Sequence, residues 1–171
     1  MLTHKPTPTA RSGVPAVGEG RRGSEGHIAY LLRQAGGAVR WALDAELARE
    51  GLTSPQFLVL TLLQAYPGIS GADLARLTQL TPQTINLVVR KLERDALVGR
   101  VPHEAHGRVL RLEVCAAGRR RLARCRQLAD RVEQRMLALL DARSAPVVRR
   151  WLVNVAREFG AQAPAGASRR R

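Results

Sequence analysis

Apolar residues recur at steps of three and four over residues 27–50 of this chain. This spacing places them on one face of an α-helix, which we expect to end near Gly51, since glycine is common just past a helix end. A second helix is expected to begin at Thr53 or Ser54 and to be broken by Pro67-Gly68. The apolar stripe of the first helix consists of Ile28, Leu31, Leu32, Ala35, Val39, Leu43 and Leu47.

Two short helices joined by a three-residue turn are predicted over residues 69–95. Ser70 can cap the first helix and Thr81 the second, which has Pro82 at its first position, where a missing N–H costs nothing. The second helix has one apolar face and one polar, cation-tipped face, the shape that fits a DNA major groove. Its inward residues are Ile85, Val88, Val89 and Leu92, and its outward residues are Gln83, Thr84, Asn86, Arg90, Lys91 and Arg94.

Two short strands are predicted after the second helix, at 98–102 and 109–114, and we expect them to form a wing. In the second strand, apolar and charged residues alternate, so we expect one buried face and one wet face. The fold is therefore predicted to be mainly α, a winged helix-turn-helix over about 53–115 with a small antiparallel β wing. The alternating residues are Leu110, Leu112 and Val114 on one face and Arg111 and Glu113 on the other.

Two further amphipathic helices are predicted after the wing, at about 117–140 and 145–159. Their apolar faces, and that of the first helix, can pack together within one chain or on a second copy. Because DNA readers of this kind gain affinity by presenting two recognition helices to one duplex face, we favour a homodimer. The dimerisation helices are then about 27–50 and 117–160. The apolar stripe of the helix at about 117–140 consists of Leu122, Cys125, Leu128, Val132, Met136 and Leu139. That of the helix at 145–159 consists of Val148, Trp151, Leu152, Val155 and Phe159.

The charge balance predicts an anionic partner. The chain of 171 residues has 28 basic and 14 acidic side chains, a net charge of +14, and double-stranded DNA is the partner that suits a basic helix-turn-helix. Residues 1–25 and 161–171 lack periodicity, so we expect a disordered N-terminal tail and a basic C-terminal tail around a domain at 26–160.

Composition disfavours several other classes of protein. The two cysteines provide no disulfide framework, which suits a reducing cytoplasm. No apolar run reaches the ~20 residues that span a bilayer, and the N-terminus lacks the apolar stretch of a secretory signal. The serines and histidines show no nucleophile–base spacing, so we expect no enzyme activity and no cofactor.

Ionisable residues gather at the predicted wing tip, where His103, Glu104 and His106 lie close in sequence. Structural zinc sites use four ligands, and this spacing does not match a helical zinc motif. A polar wing tip explains these residues more simply, and we expect no metal. A metal enzyme using His103 and His106 is the alternative interpretation.

The candidate DNA contacts fall into two groups, those whose side chains can contact base edges and those that suit phosphates. Thr81, Gln83 and Asn86 are short enough for base edges, whereas the arginines further along the helix suit phosphates. At the wing tip, Arg108 can enter a narrow minor groove. The full predicted set is Ser70, Thr81, Pro82, Gln83, Thr84, Asn86, Leu87, Arg90, Lys91, Arg94, Arg100, Arg108 and Arg111.

Several short motifs in this chain are specific enough to indicate a protein family. They are Leu74-Ala75-Arg76, Thr84-Ile85, Leu92-Glu93-Arg94-Asp95-Ala96-Leu97-Val98, Arg100 with Pro102, the strand at 109–114, and Ala117-Gly118. With them, residues 27–159 resemble the MarR family of bacterial winged-helix transcription regulators. The resemblance implies a ligand-responsive homodimeric repressor that binds palindromic operators in the bacterial cytoplasm, associated with the nucleoid. It also implies release by small aromatic or anionic effectors, or by oxidants.

Three departures from the usual pattern of that family bear on function. Leu87 stands where many relatives carry arginine, and it can contact a thymine methyl instead. Ala96 stands where glycine usually closes the second helix. Because a left-handed cap costs alanine roughly 1 kcal/mol more than glycine, we expect Asp95 to take that conformation. The wing tip reads His106-Gly107-Arg108 in place of Asp-Arg-Arg, so only Arg108 is retained.

Two alternative functions remain open. A sequence-indifferent, nucleoid-type DNA binder fits the charge and the basic tails. A redox-responsive regulator would use Cys115 or Cys125, although Cys125 falls on an apolar stripe typical of a core residue. An effector cavity beside the dimerisation helices can be lined by aromatic side chains, although core packing is their commoner place. These aromatics are Tyr30, Trp41, Phe57 and Tyr66.

Overall fold

The computed structural model describes residues 15–103 and 106–160, with side chains except at 103 and 106–109. Its helices are α1 (Ile28–Leu47), α2 (Ser54–Ala65), α3 (Gly71–Thr78), α4 (Pro82–Arg94), α5 (Ala116–Leu137) and α6 (Ser144–Gly160). Strands β1 (Val98–His103) and β2 (His106–Val114) pair antiparallel. The prediction of a mainly helical chain with a small wing is confirmed. None of the helices described is long and apolar enough to cross a membrane.

The winged domain has a closed core that holds α4, the predicted DNA-reading helix, in place. Leu60 of α2, Leu74 of α3 and Leu92 of α4 are fully buried. They form one hydrophobic cluster with Leu47 at the end of α1 and Leu122 near the start of α5. Because burying each such side chain contributes about 1.5–3 kcal/mol, α4 has little freedom to shift relative to α2 and α3.

Both helices of the helix-turn-helix begin as predicted. Ser70 Oγ accepts a hydrogen bond from Asp73 N at 3.1 Å, and Thr81 Oγ1 accepts one from Thr84 N at 3.1 Å. Between the helices, Gln79 adopts a left-handed backbone with φ of 56°. This conformation ends α3 and directs the chain into α4.

The end of α4 differs from the prediction. Ala96, and not Asp95, takes the left-handed conformation, with φ of 54° against −82°. Leu97 N donates to Leu92 O at 2.9 Å and Ala96 N donates to Glu93 O at 3.0 Å, which is the Schellman pattern. Leu97 is almost fully buried. The residue that enters the core after the helix is therefore Leu97, which leaves Ala96 in the strained position before it.

Helix α5 approaches the joint between α4 and β1 so closely that only glycine fits. A Cβ atom at Gly118 would lie 2.2 Å from the carbonyl oxygen of Leu97. The same oxygen accepts a hydrogen bond from Cys115 N at 2.9 Å. The Ala117-Gly118 motif thus fixes the start of α5 against the winged domain.

The wing is buried only at its base. In the register Val98 is opposite Val114, and Pro102 is opposite Leu110. Val98 and Val114 are buried, whereas Leu110 is 53% exposed. The predicted buried face is therefore wrong at Leu110, because the strands extend beyond the helices that cover their base.

The helices at the two ends of the chain are covered incompletely by this protomer. Helix α5 buries Leu122, Cys125, Leu128 and Val132, but Leu139 just beyond it is 85% exposed. No residue of α6 is buried, and all of α6 is described. Apolar stripes of the predicted kind are present in both helices, with part of each facing solvent.

Part of the segment predicted to be disordered is folded. Residues 15–26 form turns that include a 3₁₀ turn at Gly20–Arg22. Arg22 Nε donates to Gln34 Oε1 at 3.2 Å, and Gln34 Nε2 donates to Arg22 O at 3.3 Å. The expectation of disorder is corrected here, because composition alone does not show the partner on α1. The predictions for residues 1–14 and 161–171 lie outside the described residues.

Candidate nucleic-acid interface

Helix α4 carries a stripe of exposed side chains on the side away from the core. At about 100° per residue, positions 83, 87, 90 and 94 fall within about 60° of one another. This direction is roughly opposite to that of Ile85, Val89 and Leu92, which are buried. The stripe consists of Gln83, Leu87, Arg90 and Arg94, all exposed.

The other predicted contacts of α4 lie on the flanks of that stripe. Asn86 is exposed. Thr84 is half-buried, and its hydroxyl lies 2.9 Å from that of Thr81. Lys91 Nζ donates to Asp95 Oδ1 at 2.8 Å. Asn86 is thus exposed to solvent, whereas Thr84 and Lys91 already have partners within this helix and its cap.

A second ion pair joins the reading helix to the wing. Arg100 Nε on β1 lies 2.6 Å from Glu93 Oε1 on α4, and both side chains are partly exposed. Such a pair contributes at most about 1 kcal/mol, but it holds the Arg100 guanidinium beside Glu93 of α4. Sequence analysis assigned Arg100 to DNA and missed Glu93, because the two residues are separated by a turn and belong to different elements.

The start of α3 is a small hydrogen-bonded cluster. The Ser70 hydroxyl donates to Asp73 Oδ2 at 2.7 Å, and Arg76 Nη2 donates to Asp73 Oδ1 at 2.9 Å. The Ser70 hydroxyl, and then Arg76, lower the pKa of Asp73 below its ordinary value. The Ser-x-x-Asp spacing is a known helix-start pattern and was a signal for this role. Ser70 acts here as a cap, and its hydroxyl is occupied.

Little of the wing tip is described at the level of side chains. Arg111 on β2 is half-buried and opposite Val101 in the register. The predictions for Arg108, and for a wing tip with His103, Glu104 and His106, lie outside the described side chains. Among the residues that are described, no group of three or more side chains is placed to hold a metal ion.

The cysteines differ in environment. Cys125 is completely buried. Burial raises the pKa of its thiol above the ordinary value, and the negative charge of Glu50 raises it further. A buried thiol with a raised pKa is a poor nucleophile. The prediction that Cys125 is a core residue is confirmed. Cys115 is half-buried at the start of α5.

A groove of about 310 Å³ runs between α1 and α5. It is apolar apart from two carboxylates, and Arg149 of α6 reaches one of them, Glu133 Oε1, at 2.6 Å. The aromatics proposed for a cavity do not line it. Tyr30, Tyr66 and Trp41 are exposed, Trp41 by 76%, so core packing was the wrong expectation for these three. The lining is Val39, Leu43, Ala129, Asp130, Val132, Glu133 and Met136.

Comparisons with known sequences and with solved structures agree on one protein family. A sequence profile of the MarR family matches residues 50–109. The chain is 38% identical over 115 residues to the HTH-type transcriptional repressor Rv2887 of Mycobacterium tuberculosis, covering 67% of this chain and 83% of the relative.

Solved structures of that relative have the same fold. The complex of the M. tuberculosis MarR family protein Rv2887 with salicylic acid is 35% identical, with a TM-score of 0.65, over 77% of this chain and 98% of that one. Its complex with DNA is 33% identical, with a TM-score of 0.62, over 75% and 97%. With a reading helix, a wing and a relative of this similarity, the chain belongs to the MarR family of winged-helix transcription regulators.

Proposed function

We propose that this protein binds palindromic operator DNA as a homodimer and represses transcription there. The exposed stripe of α4 carries the proposal. Gln83 at its start can reach base edges, and Arg90 and Arg94 further along carry the positive charge that phosphates need. Relatives named as transcriptional repressors, one of them crystallised with DNA, support it.

The exposed apolar surface of the chain ends supports the homodimer. Leu139, Trp151, Leu152 and Phe159 are between 40% and 85% exposed in the protomer. Large exposed apolar patches mark interaction sites, and a two-fold dimer pairs one such patch with itself. Two copies would then present two α4 helices to one duplex.

The remaining organisation is proposed on the same grounds. We infer a MarR-like domain at 26–160, flanked by segments 1–25 and 161–171, and we propose that the arginines of 161–171 strengthen DNA binding without reading sequence. We also propose that it works in the cytoplasm with the nucleoid, because a regulator of transcription acts where the DNA is. We propose no catalytic role for any residue.

Selection of operator DNA tests the function directly. The full chain is used to select duplexes from a random-sequence pool, and the affinity for the selected duplex and for a scrambled one is measured by fluorescence anisotropy at one salt concentration. We expect the selected duplex to bind at least about a thousandfold more tightly. Equal affinity for both would contradict the proposal and favour the nucleoid-type binder, which the net charge of +14 alone would also explain.

We also propose that a small aromatic acid weakens DNA binding. The complex of Rv2887 with salicylic acid supports this effector class, and salicylic acid is the probe. Because binding free energies are linked, DNA should weaken salicylate affinity by the factor by which salicylate weakens DNA affinity. Calorimetry with and without operator measures both factors, and an operator affinity unchanged at saturating salicylate would contradict the proposal.

The position of the effector is open to a sharper test. We propose that it binds at the junction of the dimerisation helices and the winged domain, and not in the groove between α1 and α5, where the Asp130 carboxylate would repel an anion. Replacing Asp130 by Asn should therefore leave salicylate affinity unchanged. A clear gain in affinity would place the acid in the groove instead.

A further inference from the structure

We propose that Leu87 reads the methyl group of a thymine in each half of the operator, and so determines specificity. This rests on the DNA-binding function proposed above. Leu87 is 67% exposed and lies in the α4 stripe, roughly opposite the buried Ile85 and Val89. Its side chain therefore has no part in the core of the winged domain.

Exposure alone would not justify this role, because single exposed leucines are common on protein surfaces. The neighbours of Leu87 make the difference. Gln83 lies one turn before it and Arg90 and Lys91 one turn after, and all three are polar and exposed. A helix face that enters the major groove places Leu87 beside Gln83 at the base edges, with the positive charge of Arg90 next to it on the side of the phosphates.

The chemistry of the groove leaves one suitable partner for a leucine. Most major-groove base edges present hydrogen-bonding groups, and covering them with an apolar side chain removes their water without replacing the hydrogen bonds. Thymine is the exception, because its C5 methyl group projects into the major groove. When a leucine side chain packs against that methyl group, both apolar surfaces are removed from water, which is favourable.

The geometry of α4 also restricts where this thymine lies. Four residues along a helix rise about 6 Å, which is close to the length of two base-pair steps. The thymine read by Leu87 should therefore lie within about two base pairs of the base that Gln83 contacts. Glutamine pairs best with adenine, so an adenine is expected there.

Uracil replacement tests the methyl contact without changing base pairing. Each thymine of the selected operator is replaced in turn by deoxyuridine, symmetrically in both halves, and affinity is measured by anisotropy. At one position we expect a loss of about fourfold per half, and hence about fifteenfold in all, from the burial of one methyl-sized group. Leu87→Ala should bind the thymine and uracil operators equally at that position.

Two variants serve as controls. Leu77→Ala removes another exposed leucine, on α3, and should keep the full preference for thymine. Leu87→Arg should transfer the preference at the same position to guanine, to which arginine donates two hydrogen bonds. Unchanged thermal unfolding of Leu87→Ala verifies that the fold is intact.

The possible failures are distinguishable. An operator without a uracil-sensitive position, or a Leu87→Ala variant that keeps the sensitivity, would overturn the role of Leu87 while specific DNA binding stands. Absence of any sequence preference would overturn the proposed function itself.

Discussion

The winged domain and the chain ends use apolar residues in opposite ways. In the winged domain, Leu74 and Leu92 are fully buried within one chain. At the ends, Leu139 is 85% and Phe159 is 65% exposed, although both belong to apolar stripes of the same spacing. The first region is complete in one protomer, whereas the second leaves apolar surface uncovered.

One periodic pattern thus has two different outcomes in this chain. A stripe buried within the chain fixes the geometry of the reading helix, and a stripe left exposed is the surface that we propose for a second copy. The comparison can be broken or sharpened by changing each region separately.

Deleting residues 144–171 should have the largest effect. The deletion removes α6 and with it the proposed contact between copies, so sedimentation should show a monomer. Operator affinity should fall by about 10²–10⁴, since the second recognition helix no longer binds as part of one molecule. The matched control deletes only 161–171 and should stay dimeric. A dimer that survives the longer deletion would contradict the role given to the ends.

Leu92→Ala should destabilise the winged domain directly. It leaves a cavity under α4, and the free energy of unfolding should fall by about 2–5 kcal/mol in urea denaturation. Leu139→Ala is the matched control in the other region and should weaken dimerisation without changing the core. If Leu139→Ala lowered stability as much as Leu92→Ala at equal dimer content, the division between a closed and an open region would fail.

Within the winged domain, Asn86→Ala and Arg94→Ala should separate reading from binding. Asn86→Ala should lose roughly 1–3 kcal/mol of preference for operator over scrambled DNA. Arg94→Ala should weaken both alike and reduce the slope of affinity against salt by about one unit. Salt titrations on both duplexes measure these effects. The opposite result would mean that α4 lies in the groove with a different register.

Ala96→Gly should stabilise the joint between α4 and β1 by about 1 kcal/mol, because glycine adopts positive φ without strain. Ala123→Gly, at an exposed position inside α5, should lower stability by a similar amount, since glycine is unfavourable inside helices. Thermal unfolding distinguishes the two signs. Destabilisation by Ala96→Gly would remove the argument from backbone strain.

The smallest effect is expected at the start of α6. Asp141 accepts hydrogen bonds from Ser144 Oγ and Ser144 N, both at 2.8 Å. The Ser144 side chain, and then backbone N–H groups, lower the pKa of Asp141. A carboxyl group whose pKa is lowered in the folded state stabilises the fold at pH values above its ordinary pKa. This stabilisation is lost as the pH falls through the pKa of the folded state.

Titration of Asp141 by NMR checks this directly. We expect its pKa to lie below the ordinary aspartate value of about 3.9, and to rise towards that value in Ser144→Ala. An unchanged pKa in the variant would show that Ser144 does not stabilise the carboxylate.

Much of the reading unit was predictable because its signals are local. The caps Ser70 and Thr81 act within one turn of their own helices. The helical period likewise identified Ile85, Val89 and Leu92 as core residues. The exposed stripe opposite the core follows from that same period.

Tertiary packing decided the rest, because burial depends on segments distant in sequence. Sequence propensity favoured Asp95 for the left-handed position, but the burial of Leu97 assigned it to Ala96. Alternation predicted a buried Leu110, yet that side chain is 53% exposed. The sequence by itself determined which faces are apolar, through a period that each segment carries alone. Only the packed structure determined which of those faces one chain covers, because that depends on where the other segments end.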